Sequence, residues 1–313
     1  MKRAVLLLIG SFASRCITLR TVRRSSRRMF FRMWGRLIAC RRLSGGALVA
    51  AMLLGLAALA SAADTSAERG KQIIDQAVAA LGGNNFLHMQ DRVESGRAYS
   101  FYREQLSGLS LAKIYTRYLI RPEPPVAGFL GIREREAFGK KEDSAVLLTE
   151  TEGYNVTYRG AYPLAQEEYE RFRESTLRNI FYILRQRLGE PGLTFEARAS
   201  DVIDNKPVEV VDITDNDNRV VTVYFHLSNK LPVRQVTVRR DPRTNQPIEE
   251  VTVFNKYRNV DGVMWPYEIE RERNGEKIFE IFSDSVTINR GLTDNLFTLP
   301  ADKKILGPKG AKK

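Results

Sequence analysis

Three features of the sequence predict an α+β fold built on a large curved antiparallel sheet, an incomplete β-barrel with helices covering its concave side. From Met89 to Pro300 apolar residues recur mainly with period two, and the runs are separated by turn residues. Only two stretches carry a helical period. The closing third, Glu249 to Pro300, holds three β-type runs, Val251–Tyr257, Trp265–Glu272 and Lys277–Ile288. Asn259–Gly262 and Asn274-Gly275 lie between them, and Asn-Gly favours a two-residue hairpin turn because both central residues need positive φ.

The chain divides into residues 1–63, a domain over 64–302 and a basic tail over 303–313. The formal net charge is +12, yet residues 1–63 hold 12 of the 49 basic residues and no Asp or Glu, which leaves 37 basic against 37 acidic. A neutral domain offers no electrostatic footprint for nucleic acid. The basic segment leads into the apolar run Gly46–Ala63, which ends Ala60-Ser61-Ala62. These are the parts of a secretory signal peptide, with an unusually long leading region that a start at Met29 or Met33 would bring to ordinary proportions. The expected location is the periplasm, by the general secretory route rather than the twin-arginine route suggested by Ser26–Arg32. The alternative is an uncleaved anchor in the inner membrane with the domain facing the periplasm. Cys16 and Cys40 both fall in this leader, so the domain has neither disulfide nor reactive thiol.

Asp64 to Gly83 reads as a helix. Thr65 and Glu68 form a capping box, Ile73, Ile74, Ala77, Val78 and Leu81 share a face, and Gly82-Gly83 stops it. Two long strands follow, Asp91–Arg103 and Leu109–Arg121, broken by Pro122–Pro125. The apolar loop Val126–Gly131 is read as a buried connection or a lid. Short strands Arg133–Gly139, Ala145–Thr149 and Tyr154–Arg159 precede a second helix, Leu164 to Leu188, with Tyr169, Phe172, Thr176, Leu177, Ile180, Phe181, Leu184 and Leu188 at helical steps. Strands Leu193–Ala199, Pro207–Thr214, Arg219–Leu227 and Leu231–Arg240 lead to the closing stretch.

Catalytic chemistry finds little support. With only His88 and His226, no multi-His metal site can be built. Asp215–Asn218 lacks the Gly and downstream Glu of a calcium loop, and no Gly-x-Ser-x-Gly or phosphate-cradling loop is present. No pair of carboxylates stands out for glycoside hydrolysis. The reading is therefore of a non-enzyme without cofactor or metal. Aromatic residues on the strands are abundant, and a cavity lined by some of them would stabilise a bound acyl chain by about 0.8 kcal/mol per buried methylene. Trp265, Phe254, Phe225 and Phe282 are the candidate cavity residues, as large apolar groups on the late strands.

Leu81-Gly82-Gly83 closes the leading helix, Tyr257-Arg258-Asn259-Val260-Asp261-Gly262-Val263-Met264-Trp265-Pro266 spans a late hairpin, and Ile288-Asn289 precedes Leu292–Pro300. This arrangement resembles the periplasmic outer-membrane lipoprotein-sorting and carrier family, the LolA/LolB-like superfamily. The resemblance covers most of residues 65–300 in layout and 257–300 in motif. It implies a half-barrel closed by helices whose apolar cavity accepts a lipid or lipoprotein acyl chain, acting as a monomer with transient membrane contact. The chain departs from the usual carrier in its length and in extra hairpin material between Arg219 and Tyr257, and none of the family's functional residues can be matched to positions here. The alternative is a lipid-sensing envelope regulator or a scaffold that binds an envelope partner protein.

Overall fold

The computed structural model describes residues 65–120, 123, 130–241, 243–299 and 304–307. The leader, most of the Val126–Gly131 loop and most of the basic tail lie outside them. Among the described residues, fourteen strands form one antiparallel sheet. In chain order they are β1 (Asp91–Tyr102), β2 (Gln105–Tyr118), β3 (Ile132–Phe138), β4 (Ser144–Leu148), β5 (Gly153–Thr157), β6 (Gly160–Pro163) and β7 (Thr194–Ala197), then β8 (Asp201–Ile203), β9 (Lys206–Thr214), β10 (Val220–His226), β11 (Pro232–Arg240), β12 (Pro247–Val260), β13 (Val263–Arg273) and β14 (Glu276–Ile288). The order across the sheet is 6-5-4-3-2-1-14-13-12-11-10-9-7, with β8 paired to β9. The first and last long strands, β1 and β14, therefore meet at the centre, while β6 and β7 stay apart at its two ends. The chain crosses between those ends through helices, so the sheet curls without closing.

The hairpins follow from turn chemistry. Asp261-Gly262 and Asn274-Gly275 both take positive φ at both residues, at 50° and 85° and at 51° and 79°, as two-residue type I′ turns require. Arg103-Glu104 does the same between β1 and β2, at 49° and 61°. No Gly or Asn marks that turn, which is why β2 starts at Gln105 rather than at the expected Leu109. The short strands β6 and β8 were likewise not anticipated.

Helix α1, over 65–81, buries Ile73, Ile74, Ala77, Val78 and Leu81 in one core with Val211, Ile213, Val221, Val223 and Phe225 of β9 and β10. Helix α2 (Asn84–Leu87) adds Phe86 to the same core. Gly82 and Gly83 end α1 at positive φ, and a side chain on Gly82 would collide with the carbonyl of Gly262. The helix stop and the late turn that carry the family resemblance are thus packed together.

The expected single helix Leu164–Leu188 is two. Helix α3 (Gln166–Leu177) ends before Asn179, which turns extended at φ −73° and ψ 125°. Its side-chain oxygen then accepts from the N–H groups of Phe181 and Tyr182 and starts α4 (Ile180–Tyr182). An Asn that bonds the backbone two and three residues on competes with helix continuation, a local effect that apolar periodicity does not reveal. The chain then widens into a π-helical turn, Ile183–Arg187. The break gives the two halves different targets. Tyr169 of α3 packs on Val146 and Leu148 of β4, whereas Ile180, Phe181, Ile183 and Leu184 enter the main core.

Both sheet ends are covered. Ser66 of α1 donates to the carbonyl of Ala197 on β7 (2.7 Å). At the other end Lys304–Leu306 pair with Ala161 of β6: Ala161 N–H donates to Lys304 (3.0 Å) and Leu306 N–H to Ala161 (2.8 Å). Gly160, at φ 144°, lets this segment approach, since a Cβ there would lie 2.5 Å from the Lys304 carbonyl oxygen. Unpaired strand edges invite foreign strands, and covering them suppresses that pairing. The turn after β14 is held by the Asp91 carboxylate, which accepts from the N–H groups of Arg290, Gly291 and Leu292 at 2.7, 2.8 and 3.0 Å. It sends Leu292–Leu299 over the outer face, where Phe297 is buried with Tyr115, Ala137, Leu147 and Val156.

Candidate functional site in the concave face

The register assigns side chains to the two faces of the sheet. Phe254 pairs with Ile269 and Ile269 with Ile281, so all three face the concave side. Arg92, Glu94, Gly96 and Ala98 of β1 alternate onto the same side, opposite Thr116, Ile114, Ala112 and Ser110 of β2. Thr116 and Ile114 lie in turn opposite Glu134 and Glu136 of β3.

Trp265, Phe254 and Phe225 come together here, at 2, 1 and 0% exposure in one core with α1 and α4. Phe181 of α4 is the piece that covers them: its ring lies 4.8 Å from Trp265 and 5.0 Å, edge-on, from Phe254. Phe282 is not brought to the others. It pairs with Arg97 and Glu268 on the outer face, where Tyr99 meets it edge-on at 5.8 Å and Lys256 sits over its ring. Ile281, its neighbour in sequence, takes the inward position. Period two marks alternate residues of a strand but cannot say which set faces in when both sets are apolar.

A polar seam borders the aromatic floor. The Arg92 guanidinium stacks 4.0 Å over the Trp265 ring and donates from Nη2 to Thr116 Oγ1 (3.0 Å). Thr116 passes a bond to Glu134 Oε2 (3.3 Å), and Ser283 of β14 donates to Glu94. Arg92 Nε stands 3.7 Å from Glu94 Oε2. Burial, and then the charge and hydrogen bond of Glu134, push the Glu136 carboxyl up to about 8, with Arg271 opposing. Burial likewise raises Tyr118, with Arg92 and Arg185 opposing. Beyond the seam a thinner apolar group, Ala98, Ala112 and Ile281 with Ile114, Phe138, Ile269 and Phe279, continues toward the β1–β2 hairpin. Sequence reasoning missed the seam because its members lie on four strands whose pairing no local pattern announces.

The cover over the aromatic floor is attached by side chains. Ile180 N–H donates to Gln235 Oε1 of β11 (3.0 Å), beside the Asn179 cap. The Tyr182 hydroxyl accepts from Gly131 N–H (3.1 Å), and Gln186 Nε2 donates to the carbonyls of Leu119 (3.1 Å) and Gly131 (2.7 Å), gripping both ends of the β2–β3 connection. Arg185 reaches the Met89 carbonyl through Nε and Nη2, at 3.2 and 2.9 Å. Arg187 is buried and pairs with Asp215 (2.8 Å) and Glu190 (2.6 Å). Three successive residues of a π-helical turn thus hold three separate parts of the fold. Among the described residues, no group of three or more His, Cys, Asp or Glu is arranged to hold a metal ion, and no helix is long and apolar enough to cross a membrane.

Among solved structures, the chain shares its fold with a DUF1329 family protein from Desulfovibrio piger, at a TM-score of 0.51 and 12% identity over 73% of this chain and 97% of that one. A Vibrio parahaemolyticus domain described as outer membrane lipoprotein-sorting aligns over 74% of this chain and 97% of its own, with a TM-score of 0.49 and 13% identity. A LolA superfamily protein from Nitrosomonas europaea aligns over 73% and 97%, with 0.45 and 13%. No protein-family model and no curated protein matches the sequence. At 12% identity the likeness to the Desulfovibrio piger protein is one of fold.

Proposed function

We propose that the protein is a periplasmic carrier that holds a lipid or lipoprotein acyl chain against the concave face, for outer-membrane lipoprotein sorting or a related lipid transfer. The observation that carries this reading is Phe181: a single helical turn inserts one aromatic ring over Trp265 and Phe254 and is fastened by side-chain hydrogen bonds. An acyl chain competes for the same surface. Each methylene buried in place of Phe181 contributes about 0.8 kcal/mol, so a long chain can offset the loss of that contact. Loading then amounts to displacement of α4, which releases the bonds of Gln186 and Tyr182 to Leu119 and Gly131. Such a carrier needs no catalytic residue. Contact with a membrane falls to the β1–β2 hairpin, whose Leu106, Leu109 and Leu111 are about half exposed or more.

Mass spectrometry of the purified protein, before and after incubation with lipids, tests the reading, together with binding of N-phenyl-1-naphthylamine. The expected result is copurifying or captured acyl lipid and saturable probe binding displaced by it. Absence of both, with capture of an envelope protein in lipid-free buffer, would replace the carrier reading with that of a protein-binding scaffold.

A further inference from the structure

Among the described residues, two buried donors on the concave face make no hydrogen bond. Arg92 Nε and Trp265 Nε1 are both enclosed and donate no hydrogen bond, in residues 8 and 2% exposed. They belong to one stacked pair, with the guanidinium carbon 4.0 Å from the centre of the indole. Both groups only donate, and neither can turn round to accept. Nearby acceptors leave both unbonded: Thr116 Oγ1 takes Arg92 Nη2, Glu94 Oε1 takes Ser283, and Glu94 Oε2 forms an ion pair with Arg92 Nε at 3.7 Å, too long for a hydrogen bond. Buried polar atoms are nearly always satisfied, so two adjacent orphans of the same sign call for an explanation.

We infer that Arg92 and Trp265 form an acceptor-binding subsite that takes the carbonyl or carboxylate oxygen at the head of an acyl chain. This rests on the carrier reading and adds to it the chemistry of the headgroup. The placement fits such a ligand. Phe181 stands 4.8 Å from the indole, so the movement that frees the aromatic floor also uncovers the donor pair. The apolar group around Ala98, Ala112 and Ile281 lies along the same face beyond the seam. An acyl group has its only strong acceptor at one end, and donors set at the border of an apolar floor fix that end and so the direction of the chain. A neutral ester and a carboxylate share this chemistry, whereas an alkylammonium offers donors to donors and a positive charge to Arg92.

Competition for N-phenyl-1-naphthylamine by dodecanoic acid, methyl dodecanoate and dodecylamine tests the subsite in the purified protein. The acid and the ester should each displace the probe at about tenfold or more lower concentration than the amine. A preference for the acid alone would assign the subsite to free carboxylates, and equal strength of acid and ester to any acyl carbonyl. Trp265→Phe and Arg92→Met should bring the ratio below about threefold. In the unsubstituted protein, the Trp265 indole N–H resonance should move downfield with methyl dodecanoate and not with dodecylamine, a readout that does not depend on the variants folding. Probe binding without headgroup preference, or a preference that survives both substitutions, would overturn the subsite and leave the carrier reading standing. Failure to bind any probe or amphiphile would overturn both.

Discussion

Arg92 sits over Trp265, its guanidinium carbon 4.0 Å from the ring centre, and so joins the polar seam of the concave face to its aromatic floor. The pair links β1 to β13, strands that are not neighbours in the sheet. A desolvated cation over an indole contributes about 2 kcal/mol, which partly offsets leaving Arg92 Nε without an acceptor. Trp265→Ala should therefore cost about 3–5 kcal/mol through the cavity it leaves, with the lost stacking included. Urea denaturation with unchanged slope measures it. A cost under 1 kcal/mol would mean that the floor is not packed as described.

The cover should be separable from the fold. Asn179→Ala removes the acceptor of Phe181 and Tyr182 N–H, and loss of such a cap costs about 1 kcal/mol. Gln235→Ala removes the acceptor of Ile180 N–H. Both variants should remain folded and take up a hydrophobic fluorophore faster in stopped-flow mixing. Unchanged uptake rates would show that α4 does not gate the face.

The Arg187–Asp215 pair is the strongest anchor of the π-helical turn. Burial opposes the charge on Asp215, but hydrogen bonds from Arg187 and Arg219 hold its carboxyl below its ordinary 3.8. A depressed carboxyl gives stability that is present above the ordinary value and lost as pH falls through the lower one. Asp215→Ala should cost about 3 kcal/mol, because buried Arg187 loses one of its two carboxylate partners and keeps Glu190 and the Leu177 carbonyl. The variant should also lose part of the acid-induced fall in melting temperature between pH 5 and 2, a window of order set by ordinary carboxyl values.

Glu136 predicts the opposite sign. Its carboxyl is raised from 4.5 to about 8 by burial and by Glu134. A raised group gives stability that is fully present below 4.5 and lost as pH rises through about 8. Glu136→Gln keeps a neutral polar group of the same size and should flatten the decline in melting temperature between pH 4.5 and about 8. An identical decline in the variant would place the responsible group elsewhere.

Much of the fold is legible locally. The buried face of α1 can be read from Ile73, Ile74, Ala77, Val78 and Leu81, and two of the hairpin turns from Asp261-Gly262 and Asn274-Gly275, because these depend on neighbours within a few residues. The turn at Arg103-Glu104 was hidden by residues that usually avoid positive φ. At the candidate site, the aromatic floor was visible as large residues on late strands, but Phe282 shows the limit of that reasoning.

By itself, then, the sequence determines which long stretches alternate, which carry a helical stripe, where Asn-Gly and Asp-Gly turn the chain, and that residues 64–313 have no thiol and two imidazoles. Which faces meet was decided by tertiary structure. Ser283 reaches Glu94 across 189 residues, and β1 meets β14 with a register shift between Ser95 and Gly96 that no turn residue announces. The helix break at Asn179 lets Phe181 reach Trp265 and Tyr169 reach β4 from what the apolar period presents as one helix. Periodicity is a property of neighbours along the chain. Pairing, and with it the seam and the cover of the candidate site, follows from the free energy of the whole sheet and its packed helices.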